Sequence, residues 1–353
     1  MSDRLSRILL AVLLAFGTIG VSTQQRPGSA TDATSRAVAA AEAFLATLDQ
    51  SQRAKANIDL NEKTRTVWSN LPVGITMQVG ATERNGLRLG DMTPVQEKAA
   101  LALVATMLSP EGYQKAMEVV DADQVLEVRS APTRKPGAPI RFGRAFYYVS
   151  ILGKPSTTDT WMLQFGGHHL GINVTLAGRE NVLSPTHTGT QPATYTLDGR
   201  TIRPLGDEND KAFALINALN AEQQKQAILG FEVRNLVLGP GADGTMIQPE
   251  GVRAAAFTPA QRTMLLELAR EWVGILGDEA AAAKMKEIQS GITDTYFAWA
   301  GPTTVGKGAY FRIQGPSVFI EYAPQGAGEN NIDHIHTIYR DPTNDYAARM
   351  TKR

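Results

Sequence analysis

Five histidines occur in the 353 residues, and four of them fall in two tight pairs, His168 with His169 and His334 with His336. The fifth, His187, stands in SPTHTG. Imidazole is the commonest neutral metal ligand, and three such nitrogens with a carboxylate or a water suit zinc, copper or iron. On a strand, His334 and His336 point to one face about 7 Å apart, so one ion or one substrate can meet both rings. His168 and His169 face opposite ways on an ideal strand, and Gly166 and Gly167 offer the bend that would bring both to one place. Asp333, Arg340, Asp341 and Asp345 bracket the second pair, and Glu321 lies on the strand before it. A carboxylate there can ligate, act as a base, or fix the tautomer of a ligating ring. The expected ligands are therefore His168, His169, His334 and His336, with Glu321 or Asp341 as the carboxylate partner and Arg340 orienting an anionic group of a substrate. The competing reading bonds these histidines to backbone carbonyls and pairs Arg340 with Asp341 or Asp345, leaving a purely structural cluster.

Other motifs carry less. GPTTVGKG, residues 301–308, matches a phosphate loop up to Lys307, but Gly308 stands where a hydroxyl would hold magnesium, and AYFRIQG after it reads as a strand. GPGADG, residues 239–244, has dinucleotide spacing without a following helix. Both read as turns. HExxH and GxSxG are absent, so zincin and α/β-hydrolase chemistry have no motif support. Ser184 and Thr186 beside His187 belong to no recognisable triad. Trp68, Trp161, Trp272 and Trp299 each sit in an apolar run and read as core.

The elements that must position the histidines fall in blocks. Helical signals run from Ser35 to about Leu48, from the Thr93-Pro94 cap to Leu108, and onward from the Ser109-Pro110 cap. AFYYVSILG, TDTWMLQFGG, HLGINVTLAG and ATYTL then read as short strands between Gly, Pro and Ser turns. Helical periodicity returns in DKAFALINALNAEQQKQAIL, in the stretch capped by Thr258-Pro259, and in DEAAAAKMKEIQS; TYFAWAG, AYFRIQG, SVFIEYA and HIHTIYR close the chain as strands. Blocks of this kind predict an α+β fold, a largely antiparallel central sheet covered by the N-terminal and middle helices. VSILGKPS, TWMLQFGG and HH find an echo in YFRIQGPS, VFIEYAP and HIH, which reads either as two related halves or as the common look of any two hairpins.

With 43% hydrophobic residues the chain can bury a sizeable core, and residues 35–353 read as a single domain. Thirty-five basic and 35 acidic residues balance, with no basic stripe, which argues against a nucleic-acid partner. Arg4 and Arg7 before an apolar run from Ile8 to Val21 read as a signal peptide over residues 1–22, followed by a flexible lead-in over 23–34. The expected destination is the periplasm or the extracellular space, with no membrane span left after cleavage. The absence of cysteine excludes disulfides and thiolate metal sites.

WSNLP at Trp68, RNGLRLGDM at Arg84, WMLQFGGHHLGIN at Trp161, LSPTHTGTQP at Leu183 and the ending HIHTIYRDPTNDY resemble the uncharacterised secreted-protein family known as domain of unknown function 3500. The resemblance spans nearly all of the mature chain and implies no activity or ligand set. The residues themselves favour an exported metal-dependent enzyme, a hydrolase using metal-activated water or an oxidase at copper or iron. A metal- or small-ligand-binding protein without turnover is the second reading, and a structural envelope protein the third.

Overall fold

The computed structural model describes residues 30–75, 84–326, 328 and 330–351. Residues 1–22, which the sequence reading assigns to a signal peptide, lie outside them. Among the described residues the helices are α1 (Ala30–Ala46), α2 (Gln50–Ala56), α3 (Pro94–Met107), α4 (Pro110–Ser130), α5 (Gly206–Ala218), α6 (Ala221–Ala227), α7 (Pro259–Val273), α8 (Asp278–Ser290) and α9 (Ala348–Thr351). None is long and apolar enough to cross a membrane. The strands are β1 (Asn57–Ile58), β2 (Leu87–Arg88), β3 (Tyr148–Leu152), β4 (Trp161–Gly167), β5 (Leu170–Ala177), β6 (Glu180–Leu183), β7 (Thr186–Thr190), β8 (Tyr195–Leu197), β9 (Arg200–Ile202), β10 (Val252–Arg253), β11 (Tyr296–Ala300), β12 (Tyr310–Gly315), β13 (Val318–Pro324) and β14 (Ile335–Arg340).

The Thr-Pro and Ser-Pro starts work as the sequence suggests. Thr93, Ser109 and Thr258 accept a bond from the amide three residues on, with proline in the first turn. Two features differ from expectation. The first helix begins at Ala30, inside the anticipated lead-in. The long segment after Asp210 is two helices, because Asn220 and Gln223 form a capping box that starts α6 afresh.

One sheet of twelve strands runs β1-β3-β4-β5-β7-β14-β13-β12-β11-β10, with β2 on β3 and β6 on β5. Among the described residues the β1–β3 ladder is the one parallel pairing of strands. The fold is thus α+β, as the blocks of helix and strand predict. Leu163, Phe165, Ile172 and Val174 pack under Phe44 of α1, Leu103 of α3 and Val119 of α4; Trp299, Phe311 and Ile320 pack under Phe213 of α5 and Trp272 of α7. The opposite face is covered by loops, through Leu60 and Trp68 on one side and Leu229, Leu236 and Leu238 on the other. Burial on both faces explains why the central strands read as apolar runs without clean alternation.

The internal echo is a repeated topology in a register of its own. Gln52 and Gln96, each the third residue of a capping box, bond side chain to side chain, and so do Gln223 and Gln261. β2 and β10 each pair with the first strand of a three-stranded meander, β3–β5 or β11–β13, preceded by Gly86 or Gly251, whose left-handed φ of 105° or 94° suits glycine. Val149–Phe165–Ile172 in one meander match Phe297–Ile313–Ile320 in the other. The His168–His169 turn therefore corresponds to the turn Pro316–Ser317, not to the His334 and His336 segment that the echo suggested.

Candidate metal centre

The site forms where two connections meet the end of the central ladder. His168 and His169 are the two-residue turn between β4 and β5, closed by the pair Gly167 and Leu170. His169 has φ +65°, a conformation that costs a non-glycine residue about 1–3 kcal/mol and persists only when its surroundings impose it. They do so here: its N–H donates to Asn70 O at 3.0 Å and its carbonyl accepts from Gly189 N at 2.7 Å. Tyr147 Oη donates to the carbonyl of His168 at 2.6 Å, fixing the other turn residue.

His336 lies on β14 opposite Gly189 of β7, and His334 sits just before that strand. His169 Nε2 and His334 Nε2 are 2.8 Å apart, and His334 Nε2 and His336 Nε2 are 3.2 Å apart. The ligating atoms of all three rings lie within 4.8 Å of one another. Ring centroids are separated by 4.8, 5.1 and 4.9 Å. With metal–nitrogen bonds of about 2.0–2.1 Å, two imidazoles on one tetrahedral ion have nitrogens about 3.3 Å and centroids about 5.2 Å apart. The three rings therefore stand close to the arrangement that a single ion requires, and they could hold one.

Burial keeps the rings in their ligating form. It is the first cause that pushes His169 and His336 well below the usual histidine value and His334 down to about 4, with the surrounding histidines adding to it. All three are neutral at pH 7, with a lone pair to give.

The other two histidines belong to the same cluster in different roles. The ring of His168 stacks on His169 with centroids 3.6 Å apart, and its Nδ1 is 2.6 Å from Asp123 Oδ1. Asp123, on α4, is itself buried and accepts from Gly143 N at 2.7 Å through its other oxygen. His168 is thus bound to a carboxylate beside the convergent three. His187 lies on β7 with its ring centroid 5.1 Å from that of His336. All five histidines of the chain are joined by ring contacts.

The polar residues named beside the second pair are placed elsewhere. Glu321 is fully buried; its Oε1 accepts from Val237 N at 2.9 Å and Tyr310 Oη at 2.6 Å, and its Oε2 from Leu238 N at 2.8 Å. It anchors the covering loop. Arg340 donates to the carbonyls of Leu238 and Gly239 and pairs with Asp243 and Asp345. Asp341 pairs with Lys284 at 2.6 Å and accepts from Thr343. None of the three carboxyl or guanidinium groups is among the convergent atoms. Asp123 and Gly189 are the site residues that sequence reasoning passed over, and neither has a local signal: one is an acidic residue in a helix, the other a glycine in a strand.

Gly189 is the floor of the centre. A Cβ there would lie 2.8 Å from Ile335 O and 3.2 and 3.3 Å from Cδ2 of His336 and His169. Gly189→Ala should therefore push both rings aside, weakening zinc binding at least about tenfold while destabilising the fold by about 1–3 kcal/mol, the usual cost of overpacking. A chelator-competition titration beside a urea melt separates the two effects; unchanged affinity would show that the rings do not form the site.

No curated protein and no solved structure matches this chain. A family model matches residues 30–348, nearly the whole length and every residue of the centre, and the chain belongs to that family, described as protein of unknown function (DUF3500).

Proposed function

We propose that this protein is an exported transition-metal protein whose ion is held by Nε2 of His169, His334 and His336. One observation carries the reading: three neutral imidazoles from two separate connections meet at the spacing of ligands on one ion. Zinc, copper and iron all accept such a nitrogen set. Export rests on the basic and apolar character of the first 22 residues. Capture of the metal without turnover is the favoured use, because Glu321, Arg340 and Asp341, the groups that would serve as acid, base or anion clamp, are committed to the frame. A metal-dependent enzyme is the second reading, supported by His334, which is only partly buried and gives solvent a side from which to reach the ion. In that reading a metal-bound water serves hydrolysis, or copper or iron serves oxidation.

Elemental analysis of the mature protein, purified without chelator, tests the centre. Near-stoichiometric metal is expected in the native chain, and almost none in the double variant His334→Ala, His336→Ala. Absence of metal from the native protein, together with refusal of added zinc, copper and iron, would overturn the proposal.

A further inference from the structure

His187 has no role in the three-histidine centre as it stands. It is fully buried, and neither Nδ1 nor Nε2 has a hydrogen-bond partner. A neutral imidazole carries one donor and one acceptor, and buried polar atoms are nearly always bonded. Both failing on one ring, inside a histidine cluster, points to a ligand. The contrast with His168 is direct, since that ring is bound to Asp123.

Its place in the ladder supports the same conclusion. Thr188 and Thr337 are paired, and His187 and His336 each precede one of them, so the local two-fold of the ladder sets both rings on one face as diagonal neighbours. Their centroid separation of 5.1 Å agrees with the value of about 5.2 Å for two imidazoles on one tetrahedral ion. The next residue along β7 on this face is Gly189, and the residue across on β5 is Gly171. β7 thus places no side chain between His187 and the floor of the centre, while the indole of Trp68 lies over Gly171.

We infer that His187 is the fourth nitrogen ligand, closing a tetrahedral set of four imidazoles around the ion. The inference rests on the three-histidine reading. The ring reaches the ion by turning about its Cα–Cβ and Cβ–Cγ bonds over Gly189, and in doing so gives one of its unpaired nitrogens a partner. Four protein ligands leave a tetrahedral ion no position for water. The centre then captures a borderline divalent ion, such as zinc, and does not activate a substrate on it.

X-ray absorption of the zinc-loaded full chain, compared with His187→Phe, tests the assignment. Phenylalanine keeps a flat aromatic ring, one atom larger, and removes both unpaired nitrogens; a urea melt checks that the variant folds. Four imidazoles are expected around zinc in the native protein and three plus one oxygen in the variant, with affinity lower by at least about 100-fold, since losing a direct ligand costs no less than losing a group that merely supports one. Cobalt(II) gives an independent reading: azide should leave the native visible spectrum unmoved and change that of the variant. Three imidazoles and an oxygen in the native protein, or a native cobalt spectrum that responds to azide, would overturn the fourth ligand and leave the three-histidine centre intact. Failure of the native chain to retain zinc would overturn both.

Discussion

Taken from pH 7 to pH 5 without metal, the protein should lose a large part of its stability. In the folded chain burial holds His187 at about 3 and His334 at about 4, and it keeps His169 and His336 well below the usual value. In the unfolded chain the same rings titrate near 6.5. Between these limits the unfolded state binds protons that the folded state refuses, so stability is fully present above about pH 6.5 and falls as the pH drops. For His187 alone the loss by pH 5 is about 2 kcal/mol, and three further rings shift in the same direction. Against a typical total of about 5–15 kcal/mol, this brings unfolding close to pH 5. Urea midpoints in chelator at pH 7, 6 and 5 should fall steeply, and a flat series would contradict the burial of the cluster. Bound zinc competes with protons for the same lone pairs, so the loaded protein should hold its midpoint to lower pH.

Arg340→Met should destabilise the fold by about 3–5 kcal/mol, the range for breaking a buried ion pair from one side. The guanidinium is almost wholly buried and serves four acceptors: two carbonyls at 2.9 Å, Asp243 at 2.9 Å and Asp345 at 2.7 Å. Removing it strands Asp345 and frees the turn that carries Leu238 and Gly239. Arg340→Lys should recover little, since one ammonium cannot present the planar fork that meets those acceptors together. The folded fraction of either variant should still bind zinc, because Arg340 supplies none of the convergent atoms. A variant of native stability that lost its metal would assign Arg340 to the site instead of to the frame.

Much of the frame was legible. Thr93-Pro94, Ser109-Pro110 and Thr258-Pro259 announce helix starts because hydroxyl caps and first-turn prolines act within four residues. The histidines were legible as pairs, and His169, His334 and His336 do converge. What the sequence could not show is contact made across the fold. The partner of His168 is Asp123, 45 residues away on a helix. Glu321 lies on the strand before His334, yet its oxygens are committed to two loop amides and Tyr310, a choice made by the covering segment and not by the strand. His187 stands alone among threonines, and only the pairing of β7 with β14 brings it beside His336. The register of the internal repeat was hidden for a similar reason: Gly-Pro-Ser turns look alike wherever they fall, whereas the two Gln–Gln linkages that mark equivalent helices join residues far apart in the chain.

That repeat also bears on the number of ligands. Two identical chains around a two-fold axis must supply them in mates, so an uneven set is closed to them. Copies joined in one polypeptide are free of this parity, and the turn between the second and third meander strands shows the freedom used, as His168–His169 in one copy and Pro316–Ser317 in the other. The histidine cluster is lopsided by construction: the first copy lends it a turn and His187 of β7, and the second lends it His336 of β14 and His334 just before that strand, with nothing from its own turn. The turn Pro316–Ser317 can then change without touching the histidine cluster, while its counterpart cannot.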